Sequence, residues 1–369
     1  MARPANDLDL AADGNAVALA EKLAGLTTGK LIRHLRFGTA TIIYDDFHVD
    51  ITTLRRETYE KPGALPVVSP GLLKDDLYRR DFTINAIACR FTPEPAGELI
   101  DPRHGQADIT AKIIRVLHSG SFRDDPTRIW RALRYEQRLG FQLEDDTEKL
   151  LRRDVPLLAN ISGERLRYEF ECVCREDKPE NIFRRAAGLG VTDAFPGLNI
   201  DDKTPLRFDA ARALYQSKSP PAAVYLSLLT FGMNIAALYD FIARLRQPRK
   251  TALVLRQTNA LMLKLPGLKK AAKASAVTTL LQDTDVNALR AVLVAADSRS
   301  VKRQIGDYLD KYRHVRPLLN GDDLRALGLT PGPALRETLH RLRSARLDGL
   351  TLTKQDEMAL VKKHISKTG

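Results

Sequence analysis

The hydrophobic period of this chain changes once, near His118, and that change limits what it can fold into. Before it, short runs alternating in period two fall at residues 7–11, 31–35, 39–44, 49–53, 98–100 and 113–116, and each predicts a strand. Helical patterns sit between them at residues 15–23, at 72–78 and from His104. Beyond His118 the apolar residues, among them Ile129, Leu133 and Leu139, follow a helical period, and the remainder reads as helices. A chain of 369 residues suits two or three cores. The expected architecture is an α/β head over residues 1–118, an all-α neck over 119–198 and an all-α body over 199–369. Pro196-Gly197 and the Lys203 to Pro205 stretch mark the second boundary. Pro62, Gly63, Pro66 and Pro70 punctuate residues 54–70 and predict a long loop, and Asp45-Asp46 predicts a polar turn between two strands.

Charge narrows the function classes. Lys and Arg number 58 against 46 Asp and Glu, a net charge of +12 that suits a polyanionic partner, nucleic acid before membrane, or serves solubility alone. Three cysteines (Cys89, Cys172, Cys174) have no metal-ligand companions and read as buried thiols in a reducing, cytoplasmic setting. The opening residues Met-Ala-Arg-Pro-Ala-Asn lack the apolar core of a signal peptide, and no run reaches the length of a membrane span. The histidines are scattered without metal-ligand spacing and without a His-Asp pair, so an attached phosphohydrolase domain is not expected.

Three clusters carry candidate chemistry. In Arg79-Arg80-Asp81-Phe82-Thr83-Ile84-Asn85, guanidiniums, a carboxylate and an amide fall within seven residues, a set able to grip phosphate and a base edge. A surface ion-pair knot is the other reading. Asp7 and Asp9 stand two apart on a predicted strand, so their carboxylates share a face. Such a pair repels unless a cation such as Mg²⁺ sits between, although a solvated strand edge would look the same. Asp50 lies between Val49 and Ile51 on another strand, an uncommon place for an unpaired carboxylate. In Asp124-Asp125-Pro126-Thr127-Arg128, Pro126 suits a first helical turn and Asp125 an N-cap. Arg128, Arg131 and Arg134 follow at three-residue spacing, either a solvated stripe or a set that reads a base and its phosphates.

Taken in order, these segments resemble a known set. Arg80-Asp81-x-x-x-Asn85-Ala86, Asp101-Pro102-x-x-Gly105-x-x-Asp108, Ile114-Arg115-Val116-Leu117, Asp124-Asp125-Pro126-x-Arg128-x-x-Arg131-Ala132 and Gly163-Glu164-Arg165-Leu166 resemble the motifs of the class II tRNA nucleotidyltransferase and bacterial poly(A) polymerase family. The likeness covers about residues 5–175 and continues more loosely to Gly321-Asp322-Asp323-Leu324. It implies a polymerase-β-like sheet in the head, with Asp7 and Asp9 as metal ligands and Asp50 as third catalytic carboxylate. It implies that Arg80, with Asp81 and Asn85 beside it, contacts the incoming nucleotide. Asp124, Asp125 and Arg128 would select its base, and Arg131 and Arg134 would support its phosphates and sugar. Arg56-Glu57-Thr58-Tyr59 matches the segment leading into the family's mobile loop.

The resemblance implies template-independent addition of CCA from CTP and ATP to a tRNA 3′ end, with Mg²⁺ and in-line displacement of pyrophosphate. Addition of A alone or of a poly(A) tail is the alternative within the same chemistry. Two features depart from the family. Asp124 stands where the family usually has Glu, a shorter reach for the same charge. A strand ending in Gly-Gly precedes Asp-x-Asp in the family, whereas Asp7 follows only six residues here. A start assigned too late is the favoured explanation; a partner chain supplying the piece and an RNA-binding pseudoenzyme are the others. In the body, Arg244, Arg246, Arg249, Lys250 and Arg256 gather around Pro248, and Lys264, Lys269, Lys270 and Lys273 form a second basic group. Each group suits binding to RNA backbone phosphates or a solvated helix face.

Overall fold

The computed structural model describes residues 7–35, 38–45, 47–92, 97–216 and 219–368. Residues 1–6, which bear on the signal-peptide expectation, and Asp46 of the expected turn lie outside them. The chain divides into two compact units, Met1–Ala194 and Phe195–Gly369.

The first unit opens with β1 (Asp7–Ala12), α1 (Ala16–Leu26), β2 (Lys30–His34), β3 (Thr39–Ile43) and β4 (His48–Thr53). These strands form one sheet in the order β1-β4-β3-β2, with β1 parallel to β4 and the other pairs antiparallel. Asn15 caps α1 by accepting from the Ala18 amide. Ala16 and Ala20 then pack on Ala40, Ile42, Val49 and Ile51. Strand alternation therefore turns Asp7, Asp9, Thr41 and Asp50 to the other face.

Residues 54–70 differ from the expected loop. β5 (Arg55–Thr58) and β6 (Val67–Pro70) pair antiparallel as a hairpin, and only its tip holds Pro62, Gly63 and Pro66. The charges hide the strand because Arg55 and Glu57 neutralise each other at 2.8 Å along it. Pro70 is tolerated as a terminal residue of a two-stranded ribbon. Gly71 closes the hairpin, and a Cβ there would lie 2.6 Å from the Arg55 carbonyl carbon.

Next come α2 (Leu73–Tyr78), a 3₁₀ turn (Thr83–Asn85), the pair β7 (Ala88–Cys89) and β8 (Leu99–Ile100), α3 (Gly105–Ala111) and β9 (Ile113–Ile114). Gly105 lets α3 meet that turn, since a Cβ would fall 2.3 Å from the Thr83 carbonyl oxygen. The helical section holds α4 (Ser121–Asp124), α5 (Arg128–Leu139), α6 (Asp145–Asp154), α7 (Gly163–Cys174) and α8 (Pro179–Gly188). It is not purely helical: after Gly140 ends α5 in the left-handed region, β10 (Gln142–Leu143) pairs with β9. Trp130 anchors this part, fully buried, its ring 4.8 Å from that of Phe170 and 6.2 Å from that of Phe183.

The second unit holds α9 (Thr204–Tyr215), α10 (Ala222–Leu229), α11 (Ile235–Arg244), α12 (Arg249–Lys270), α13 (Ala274–Leu281), α14 (Val286–Ala295), α15 (Arg299–Asp310), α16 (Gly321–Ala326), α17 (Pro333–Leu347) and α18 (Lys354–Thr368). One core gathers Leu261, Leu268, Leu281, Leu289, Val301 and Ile305, and a smaller one Leu319, Leu324, Leu342 and Val361. Among the described residues no helix is long and apolar enough to cross a membrane. All three cysteines are free, and Cys172 and Cys174 are buried. Cys89 is exposed, contrary to expectation, because it sits on a two-residue strand.

Candidate active site

The parallel register of β1 and β4 sets Asp9 directly opposite Asp50, and Asp7 opposite His48. Burial holds the Asp9 carboxyl above the usual carboxylate range, and the negative charges of Asp50 and Asp7 add to that, while Arg80 opposes it. Asp50 accepts from Thr41 Oγ1, and His48 Nε2 lies 3.9 Å from its other oxygen. Among the described residues no three His, Cys, Asp or Glu side chains form a ready-made ligand set. The donor chemistry nonetheless fits Mg²⁺, which is commonly held by one or two carboxylates together with substrate phosphates and water.

Two cavities meet at Asp9, Arg79 and Arg80. One, of about 330 Å³, is also lined by Glu57, Tyr59, Asp81, Asn85, Asp125, Arg128, Arg131 and Tyr135. The other, of about 440 Å³, adds Leu10, His34, Thr39, Thr52 and Arg55. Arg80 Nε and Asn85 Oδ1, both from side chains lining the first cavity, are buried without a hydrogen-bond partner. Buried polar atoms are rarely left unpaired, so an unpaired donor and an unpaired acceptor on two residues of one cleft wall fit a polar ligand that a small side-chain shift would bring into reach.

The remaining wall is tied down. Asp81 accepts from Arg131 Nε at 2.7 Å, and that ion pair holds the Arg131 guanidinium firmly charged despite its burial. Arg128 donates to Ser121 Oγ at 2.7 Å and to the Arg79 carbonyl at 2.6 Å, fastening α5 to the end of α2. Asp125 caps the first turn as expected: its backbone is extended, its Oδ1 accepts from the Thr127 amide at 3.0 Å and its carbonyl from the Arg128 amide at 3.0 Å. Thr127, just ahead of α5, makes no side-chain cap bond. The same Asp125 Oδ1 accepts from Arg165 Nη2 at 2.7 Å. Arg165 also donates to the Gly63 carbonyl in the hairpin tip at 3.0 Å.

Two expected contributors point elsewhere. Asp124 lies on α4 beside His118, 3.7 Å from its Nε2, and does not line either cavity. Arg134 pairs with Glu169 at 3.3 Å and Glu176 at 3.2 Å, away from the cleft. A three-residue step turns a helix back by about 60°, so Arg134 has rotated off the face that Arg128 and Arg131 share.

A family model described as the Poly A polymerase head domain matches residues 1–115, and one described as the probable RNA and SrmB-binding site of polymerase A matches residues 140–201. The A-adding tRNA nucleotidyltransferase of Halalkalibacterium halodurans is 32% identical over 364 residues, covering 96% of this chain and 83% of the relative. The chain belongs to the tRNA nucleotidyltransferase and poly(A) polymerase family. The A-adding tRNA nucleotidyltransferase of Geobacter sulfurreducens is 33% identical over 96% of this chain, which spans only 42% of that longer relative. A solved complex of a CCA-adding enzyme with ATP superposes with a TM-score of 0.80 at 28% identity, covering 99% of this chain and 88% of that one. The Thermotoga maritima CCA-adding enzyme complexed with tRNA gives 0.76 at 28% identity, covering 98% and 87%. The small sheet head followed by a mostly helical remainder is the architecture of these family members.

Within this nucleotidyltransferase fold the sequence reading missed Asp76 and Tyr135, and gave Glu57, Tyr59 and Arg165 a place in a motif but no role at the site. Asp76 had a signal, because it precedes Arg79 and Arg80 by three and four residues. Glu57 had only its place in the Arg56–Tyr59 segment, since Arg79 meets it only in the folded chain. In the second unit Arg246, Arg249, Lys250, Lys269 and Lys270 are exposed and Arg244 half-buried. Arg249 and Lys250 open α12 while Lys269 and Lys270 close it, about 30 Å apart along the helix.

Proposed function

We propose that this chain transfers nucleotides from CTP and ATP to the 3′ end of tRNA without a template, completing CCA. The observation that carries the reading is the cleft in which the open Arg80 Nε and Asn85 Oδ1 stand in one cavity wall with the Asp9 carboxylate. Asp7 and Asp9 would hold Mg²⁺, which supplies charge neutralisation at the reacting phosphate when bound. Asp50 stands in register beside Asp9 as the third carboxylate. Arg80 and Arg131 offer fixed positive charge to a nucleotide's phosphates and sugar, and Asp125 and Arg128, which line the same cavity, would supply an acceptor and donors to its base. The exposed basic residues of α12, with Arg244 and Arg246, would take the acceptor's backbone phosphates. Cytoplasm is the compartment that fits free thiols and a tRNA substrate.

Addition of A alone is the second reading, because two relatives that match nearly the whole chain carry the A-adding name. Incubating the chain with Mg²⁺, labelled CTP or ATP and tRNAs ending before CCA, after C and after CC separates the two. Stepwise CMP addition followed by one AMP supports CCA synthesis. AMP transfer only to the tRNA ending in CC supports the A-adding reading, and no transfer to any of them overturns both.

A further inference from the structure

We infer that Asp76 is a positioning residue that sets both cleft guanidiniums, Arg79 and Arg80, and so tunes nucleotide affinity without touching the nucleotide. The inference rests on the nucleotide-transfer reading of the same cleft. Asp76 lies on α2 and is only 1% exposed, yet lines neither cavity. One carboxylate oxygen accepts from Arg79 Nη2 at 2.7 Å and Nε at 3.0 Å; the other accepts from Arg80 Nη2 at 3.2 Å.

The consequence for Arg80 is directional. With one terminal nitrogen fixed to a buried carboxylate, the planar guanidinium cannot rotate freely. Its Nε remains buried and unpaired in a residue of the wall that contains Asp9. Arg79 is held between two acids, since its Nη1 reaches Glu57 of the hairpin at 3.3 Å. Its carbonyl in turn accepts from Arg128 at 2.6 Å. Asp76 is thus the acceptor that Arg79 and Arg80 share, and through Arg79 the wall is also tied to the hairpin and to α5. A carboxylate needed only to stabilise the fold has no reason to divide its two oxygens between two ligand-facing cations.

The test uses the full chain and ATP or CTP with Mg²⁺, by titration calorimetry for affinity and by incorporation for the KM and kcat split. Asp76→Asn keeps shape and one acceptor but removes the charge. It is expected to weaken nucleotide binding and raise nucleotide KM by about tenfold with a much smaller change in kcat. Asp76→Glu, which retains the charge, should recover part of the affinity. In an Arg79→Ala/Arg80→Ala background, Asp76→Asn should add no more than about a twofold further loss, because both residues it orients are already gone.

Unchanged nucleotide affinity in Asp76→Asn, or losses that simply multiply with those of the Arg79→Ala/Arg80→Ala double change, overturns the inference. Thermal unfolding is followed on the same samples, and where Asp76→Asn fails to fold the cycle is run with Asp76→Glu. A wild-type chain that binds neither nucleotide defeats the functional reading and this inference together. A wild-type chain that binds normally beside an equally tight Asp76→Asn defeats this inference alone.

Discussion

The cleft of the first unit and the basic surface of the second carry the same kinds of side chain under opposite conditions. In the cleft, Arg79, Arg80, Arg128 and Arg131 are each fixed by buried or half-buried acceptors, with Asp76, Glu57 and Asp81 behind them. Arg249, Lys250, Lys269 and Lys270 stand exposed at the two ends of α12. A fixed guanidinium presents its donors in one direction, which suits discrimination among small ligands. An exposed ammonium on a flexible stem presents charge in any direction, which suits a polyanion of any sequence. On the proposed function, fold and charge would therefore separate choosing the nucleotide from holding the RNA.

That separation is broken most directly at the carboxylates. Asp7→Ala together with Asp9→Ala should lower nucleotide incorporation by about 10³-fold or more while tRNA binding, followed by gel shift, stays near wild type. Equal loss of both would merge the two roles. Trp130→Ala removes the fully buried ring between Phe170 and Phe183, and should cost about 3–5 kcal/mol in denaturant unfolding. The wall carried by α5 depends on that core, so nucleotide binding should fail before the exposed charges of α12 are affected.

Lys269→Ala with Lys270→Ala should act in the reverse sense. We expect tRNA affinity to fall a few-fold at low salt, and the slope of log affinity against log salt to shrink by about 0.7–0.9 for each phosphate that is no longer neutralised. Nucleotide KM should stay put. The smallest effect concerns His118, which burial holds below its ordinary value of 6.5, with Arg128 and Arg103 acting in the same direction and Asp124 against it. Neutral His118 contributes its full stability above pH 6.5, and that contribution is lost as pH falls through the lowered value. His118→Gln should therefore flatten the stability profile just below pH 6.5, read by thermal unfolding in steps of pH.

What could be read from the chain follows the range of each interaction. The Asp7-x-Asp9 strand and the helices α1 and α2 were legible because hydrophobic period is local. The β5–β6 hairpin was not, since Arg55 and Glu57 look like solvent residues until they pair with each other and Glu57 also takes Arg79. The motif residues Arg80, Asp81, Asn85, Asp125, Arg128 and Arg131 do converge on one cavity, although they come from two segments far apart in the chain. Arg134 and Asp124 belong to the same motif and yet diverge. Helix rotation sends one towards Glu169, and α4 turns the other towards His118. Spacing identified the segment but not which of its side chains face inward.

The central claim is that the tethered cleft is the nucleotide seat, with Arg80 Nε and Asn85 Oδ1 held open for it. The most direct measurement is a crystal structure of the chain soaked with ATP and Mg²⁺. The account predicts ATP in the 330 Å³ cavity, with Arg80 Nε and Asn85 Oδ1 both gaining hydrogen-bond partners from it while Asp76 keeps both guanidiniums. ATP bound outside that cavity, or bound with both atoms still unpaired, would contradict it.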